Sequence, residues 1–162
     1  MLIEQRLAVV DLVLTESACL DEKNWAGWLD LYTEDAEYWI PAWDDEHTLT
    51  TDPQCELSLI YYGSRAGLED RVYRLETGLS LASSPLPRTC HTNSNFRVEQ
   101  RGEDVLVHSS WVTHSYRMKK SQIYYGHQTH TMRRSGGEWK ISGRYIVLQN
   151  DSIDSVLDVY SV

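Results

Sequence analysis

Phenylalanine is nearly absent from this 162-residue chain, occurring once against six tryptophans and ten tyrosines. Trp and Tyr are favoured over Phe where one side of a ring is buried and the other meets polar groups, as at protein interfaces. Positive charge is also scarce. Fifteen Lys and Arg stand against 24 Asp and Glu, a formal charge of -9. Nucleic-acid binding draws its affinity from clustered Lys and Arg that displace counterions, so that class is excluded. Long apolar runs are missing as well. None approaches the roughly 20 residues needed to span a bilayer, and residues 1–14 lack the charged start, apolar middle and small-residue cleavage site of a signal peptide. The expected location is the cytoplasm.

Cysteine is limited to Cys19, Cys55 and Cys90, an odd number without paired spacing, and all three are expected as free thiols. Cys90 and His91 are adjacent, whereas a Rieske cluster requires Cys-x-His together with a distant Cys-x-x-His. Nucleotide-binding glycine motifs and the Gly-x-Ser-x-Gly elbow are absent too.

What is present begins with helical spacing. Ile3, Leu7, Val10 and Leu14 form one stripe. Asp21 offers an N-cap to a second short helix carrying Trp25, Trp28, Leu29 and Tyr32. A short strand follows at residues 37–40, ended by Pro41, and residues 42–56 read as an acidic loop. Residues 57–62 fit either a strand or a helical turn, and Leu68, Val72 and Leu75 mark a third helix. Residues 80–90 form a crossing loop. Long β-rich runs at 92–99, 105–116, 121–134 and 139–148, joined by short Gly-containing turns, predict an antiparallel meander. The class is therefore α+β in one domain, residues 1–162. On 105–116 and 139–148 both strand faces carry apolar residues, so either the sheet curls within the chain or one face meets another subunit.

Six histidines, at 47, 91, 108, 114, 127 and 130, invite a metal reading. His127 and His130, three apart on a strand, lie on opposite faces. His108 and His114 share a face but stand about 20 Å apart at the strand rise. No local pair chelates, and no metal, cofactor or catalytic residue is assigned. The competing reading is a free-standing enzyme, a dehydratase or isomerase, with Asp35, Tyr38, His91 and His130 converging as an acid–base group. Arg65, Arg71, Arg74 and Arg88 surround the third helix and its exit. They are expected either on a solvated face, with pairs such as Asp70–Arg74, or at a subunit interface, where Arg binds carboxylate bidentately.

One set of segments stands out: Asp35–Ala36–Glu37 with Trp39–Ile40–Pro41–Ala42–Trp43–Asp44–Asp45, Leu59–Ile60–Tyr61–Tyr62, and Gly67–Leu68–Glu69–Asp70–Arg71–Val72. Arg88–Thr89 with His91, Ser94–Asn95, and the stretch from Val147–Leu148 through Asn150–Asp151 to Asp158–Val159–Tyr160 complete the pattern. In this order the segments resemble the small (beta) subunit of aromatic-ring-hydroxylating dioxygenases of the benzoate and anthranilate 1,2-dioxygenase type. The resemblance implies N-terminal helices on a strongly curved antiparallel sheet, a cone like those of cystatins and nuclear transport factors. It also implies a structural chain without a cofactor of its own, assembled with a large (alpha) subunit as three large plus three small chains. That partner would carry the Rieske 2Fe-2S cluster and a mononuclear Fe(II), with electrons from NADH through a separate reductase. The implied reaction adds both atoms of dioxygen to an aromatic acid. Residues 75–80 and 150–155 depart from the family pattern, which leaves benzoate, anthranilate, a substituted benzoate or another aromatic acid as candidate substrates.

Overall fold

Residues 3–22 contain neither Gly nor Pro and form helix α1 (Ile3–Glu22), closed by Lys23 in the left-handed conformation at φ 59°. In this computed structural model, which describes residues 2–150 and 152–162, the helix exists as expected but turns a different face inward. Val9, Val13, Glu16, Ser17 and Leu20 are buried, whereas Ile3, Leu7 and Leu14 are exposed. The buried face includes a carboxylate because the sheet supplies the Arg144 guanidinium to meet it.

Asp21 does not cap the second helix, since it lies inside the last turn of α1. Asn24 takes that role for α2 (Trp25–Asp30), its Oδ1 accepting from the Gly27 amide at 3.1 Å. A Cβ on residue 27 would lie 2.5 Å from the Asn24 side chain, so glycine there makes room for the cap. Tyr32 leaves the helix and opens strand β1 (Tyr32–Pro41), which is longer than the sequence pattern indicated and contains Asp35. The 57–62 segment resolves as strand β2 (Ser58–Tyr62). Helix α3 (Arg65–Glu76) buries Leu68, Val72 and Leu75 as their spacing predicts. The crossing loop gives way early to β3 (Arg88–Arg101), followed by β4 (Asp104–Arg117), β5 (Lys120–Ser135) and β6 (Glu138–Leu148).

The strands make one sheet in the order β2-β1-β6-β5-β4-β3. The meander β3–β6 is antiparallel as expected, while β1 joins β6 in parallel, which only a crossover can achieve. Asp151, part of the family-like terminal stretch, lies outside the described residues. α1 crosses the concave side against β3, β4 and β6. There Val107, Trp111, Met132 and Ile146 meet Val9, Val13 and Leu20 in the core. Trp28 is fully buried and packs edge-on to Tyr32 and Tyr38 at centroid distances of 5.4 and 6.5 Å. Each such pair contributes about 0.5–1.5 kcal/mol beyond its area. At residue 126 a Cβ would stand 1.9 Å from the Val147 carbonyl oxygen, so only glycine allows β5 to lie against the end of β6.

The first reading of the two-faced strands describes the concave side. The sheet curls, and its concave face buries Val105, Val107, Ser109, Trp111 and Thr113 on β4. Among the described residues no helix lies over its convex face. There Val112 is half-buried and His114 and Tyr116 are exposed.

Candidate functional site

The interior of the cone is polar at its centre. Glu16 on α1, His130 on β5 and Arg144 on β6 are all buried. Arg144 Nη1 donates to Glu16 Oε1 at 3.1 Å, and His130 Nε2 lies 2.8 Å from Glu16 Oε2. The Tyr32 hydroxyl also donates to Glu16. Arg144 reaches Gln128 Oε1 at 3.2 and 2.8 Å, and Gln128 Nε2 donates to Asn93 Oδ1 at 2.7 Å. Asn93 in turn donates to Ser17 at 2.7 Å, which closes the network back onto α1.

Burial alone would raise the Glu16 carboxyl, yet Arg144 and His130 beside it outweigh that cost and hold it down at about 2. Burial lowers His130, and Arg144 works in the same direction against the pull of Glu16. The cluster is thus a carboxylate and a guanidinium that neutralise each other, with a neutral imidazole beside them. All three positions escaped the sequence reading as a group. Their signal was parity and phase: Arg144 shares its strand face with Ile146 and Leu148, and Glu16 lies three residues from Val13 on the inward face.

The acid–base candidates do not converge. Asp35 is exposed and bound to Thr33 and Arg133. Tyr38 is buried with its hydroxyl unpartnered, and Arg144 lies over its ring at 5.6 Å. His91 Nδ1 stands 2.6 Å from Asp21 Oδ1 near the end of α1, where Thr89 and the His91 amide bind the same carboxylate. His130 pairs with Glu16 instead. None of the four has another of the four as a hydrogen-bond partner.

The arginines divide. Arg71 makes a two-pronged contact with the buried Asp158 and donates to Ser80 and Ser83 at 3.0 and 3.3 Å, which ties the C-terminal segment to α3. Arg65 binds Glu69 at 2.8 Å and the Tyr32 carbonyl at 3.1 Å. Arg74 pairs with Asp70 at 3.3 Å in the open, as the i, i+4 spacing indicated. Arg88 is exposed over the Tyr116 ring at 5.4 Å.

For the iron–sulfur cluster the donor set does not fit. Cys19 is buried on α1, Cys55 is in the 42–56 loop and Cys90 is on β3. Among the described residues no group of three or more His, Cys, Asp or Glu is placed to hold a metal ion. No helix among them is long and apolar enough to cross a membrane.

Comparison with known proteins gives this arrangement its context. Residues 15–155 match the family model described as "Ring hydroxylating beta subunit". The chain belongs to the ring-hydroxylating dioxygenase beta subunit family. It is 43% identical to the benzoate 1,2-dioxygenase subunit beta of Acinetobacter baylyi, over 95% of this chain and 92% of that one. The crystal structure of the beta subunit of benzoate 1,2-dioxygenase from Burkholderia mallei superposes with a TM-score of 0.79 at 39% identity, covering 95% of each chain. An NTF2-like protein with a cystatin-like fold from Novosphingobium aromaticivorans matches at TM-score 0.66 and 15% identity, covering 94% of this chain and 87% of that one. That last likeness is one of fold, and it is the cone expected from the sequence. The chain is the small subunit of an aromatic-ring-hydroxylating dioxygenase, and the family implies an alpha partner subunit.

Proposed function

We propose that this chain is the structural, non-catalytic small subunit of a dioxygenase that dihydroxylates an aromatic carboxylic acid: benzoate, anthranilate or a substituted benzoate. The observation that carries this reading is the cone interior. Glu16, His130, Arg144 and Gln128 fill its centre and bind each other. A general acid or base must reach a substrate proton directly or through one water, and these groups are already engaged out of solvent. In this proposal three large and three small chains assemble in the cytoplasm. The large chain holds the Rieske cluster and mononuclear iron, and a separate reductase delivers electrons from NADH. Arg65, Arg71, Arg74 and Arg88 were the interface candidates. Arg71 is tied to the buried Asp158 and Arg65 to Glu69 and the Tyr32 carbonyl, so the exposed Arg74, with only a surface pair to Asp70, and the exposed Arg88 are the two better placed to meet a partner's carboxylates.

Expression of this chain alone and together with its host's large oxygenase chain tests the proposal. Alone it is expected to be colourless and inactive. With the partner it is expected to elute as one larger species with iron–sulfur absorption. Turnover of a substrate by the isolated chain would overturn the structural reading.

A further inference from the structure

The convex face of the sheet is organised in rows that run across strands. One row crosses all six: Tyr61, Trp39, Tyr145, Thr129, His108 and Arg97 stand on successive strands in register. It starts aromatic and ends cationic. Trp39 packs edge-on between Tyr61 and Tyr145 at 6.5 and 5.2 Å, and His108 Nδ1 stands 2.9 Å from Thr129 Oγ1. The neighbouring row carries Val147, His127, Ser110 and Ser94, and beyond it lie Tyr125 and then Ile123, about half exposed at 48% and 51%.

At the cationic end the chain builds a cleft. A bulge in β3 between Ser94 and Arg97 sets Asn95 in the left-handed conformation at φ 57°, and its Nδ2 donates to Ser110 Oγ at 3.2 Å. Ser110 Oγ stands 3.5 Å from His127 Nδ1. Arg97, His108, Asn95, Ser110 and His127 line a space of about 370 Å³. Arg97 is exposed and has no hydrogen bond or ion pair to another described residue, although the chain carries 24 carboxylates. Glu99, two residues further along the same strand face, is turned to other groups, standing 3.4 Å from Arg101 and 3.8 Å from His108.

We propose that this convex face is where the large subunit docks, with a carboxylate side chain of that partner entering the Arg97–His108–His127 cleft. The inference rests on the subunit reading and adds to it the place and the chemistry of contact. Area supports the choice. Six strands about 4.8 Å apart, over about eight residues of strand, give roughly 650 Å², close to the ~800 Å² each partner contributes to a standard interface. Charge supports it too. Arg binds carboxylates bidentately, and the Arg97 guanidinium, beside His108, His127 and the Asn95 amide, makes no hydrogen bond or ion pair to another described residue. Around it, half-exposed Tyr and Trp supply the kind of rings that dominate interface energetics.

The experiment uses the tagged full-length chain, free and assembled with the large oxygenase chain of its host, which is identified by mass and by iron–sulfur absorption. Histidine acylation by diethyl pyrocarbonate, read residue by residue, is expected to fall several-fold at His108 and His127 on assembly, and to stay unchanged at the buried His130. Arg97→Glu is expected to keep the circular dichroism of the wild type and to weaken assembly by roughly 30-fold or more, the range for unpairing an interfacial charge. Arg97→Lys retains part of the affinity, because the charge stays and the fork is lost. Wild-type assembly that leaves His127 and His108 equally reactive, or that tolerates Arg97→Glu, overturns the docking face alone. A free chain that already shields His127 by self-association assigns the face to a second copy and also overturns it. Failure of the wild-type chain to join any large chain overturns the subunit reading, and the docking face with it.

Discussion

Arg144 shows at the scale of one residue why a buried charge can be tolerated here. Its guanidinium stays protonated, held well above its ordinary value by Glu16 and the neighbouring tyrosines in spite of burial. A buried pair gives little net stability, but a broken one leaves a bare charge in the core at a cost of about 3–5 kcal/mol. The same cluster sets a pH dependence. His130 and Glu16 both bind protons more weakly folded than unfolded. The unfolded chain therefore takes up more protons as pH falls, and stability drops with it. Urea unfolding is expected to show stability flat just above neutrality, until Cys19 and the buried tyrosines, whose protons burial holds more tightly in the folded chain, titrate in the unfolded one. Stability should begin to fall near 6.5, the ordinary histidine value, and fall more steeply from 4.5 toward about 2, where Glu16 protonates. Asp21, held low by His91 and Thr89 despite partial burial, adds to the acid limb. In Glu16→Gln the lower limb should shrink; an unchanged profile would mean the ion pair contributes nothing.

At the scale of an element, the C-terminal segment depends on α3. Val159, Tyr160 and Val162 are buried, and Asp158 is the polar anchor among them, held by Arg71 and Ser83. Ser83 also meets the Tyr160 hydroxyl at 2.8 Å. Arg71→Ala is expected to cost about 2–3 kcal/mol, less than a fully buried pair because the guanidinium is partly exposed. Limited proteolysis should then cut within the last residues sooner than in the wild type. Arg71→Glu would set a second carboxylate against Asp158, so its first effect is on this chain's fold. The α1 stripe teaches a related lesson. Periodicity identified the helix correctly and its buried face wrongly, because an apolar row at 3, 7, 10 and 14 looked more core-like than one containing Glu16 and Ser17.

At the scale of the molecule, the concave face is complete and the convex face is not. Helices cover one side, ion pairs fill the centre, and Tyr116, Ile123 and Tyr125 remain open on the other side. Arg74 and Arg88 sit at different places on that exterior, on α3 and at the start of β3. Reversing either charge is expected to change folding by no more than about 0.5 kcal/mol, as exposed pairs do. On size-exclusion chromatography with the large chain, Arg88→Glu is expected to weaken assembly, since Arg88 shares the convex face with Cys90, His114 and Tyr116. Arg74→Glu tests whether α3 belongs to the same interface. Full assembly of both variants would remove these arginines from it.

Much of this protein was legible in the sequence. Strand runs broken by Gly turns and the helical stripe at 68, 72 and 75 were enough for the α+β class, because these signals are local. The segments from Asp35–Ala36–Glu37 to Asp158–Val159–Tyr160 carried the resemblance to the beta subunit family, and with it the cone. The sequence also told against the local histidine pairs as chelators, since strand geometry fixes which side chains share a face. Which polar residues work together came from the three-dimensional packing. Glu16 and Arg144 are 128 positions apart, and their pairing depends on α1 crossing the sheet over β6. The parallel joining of β1 to β6 and the capture of Asp158 by Arg71 are likewise long-range. No periodicity records them, because the partner that makes burial of each charge tolerable arrives from a distant part of the chain.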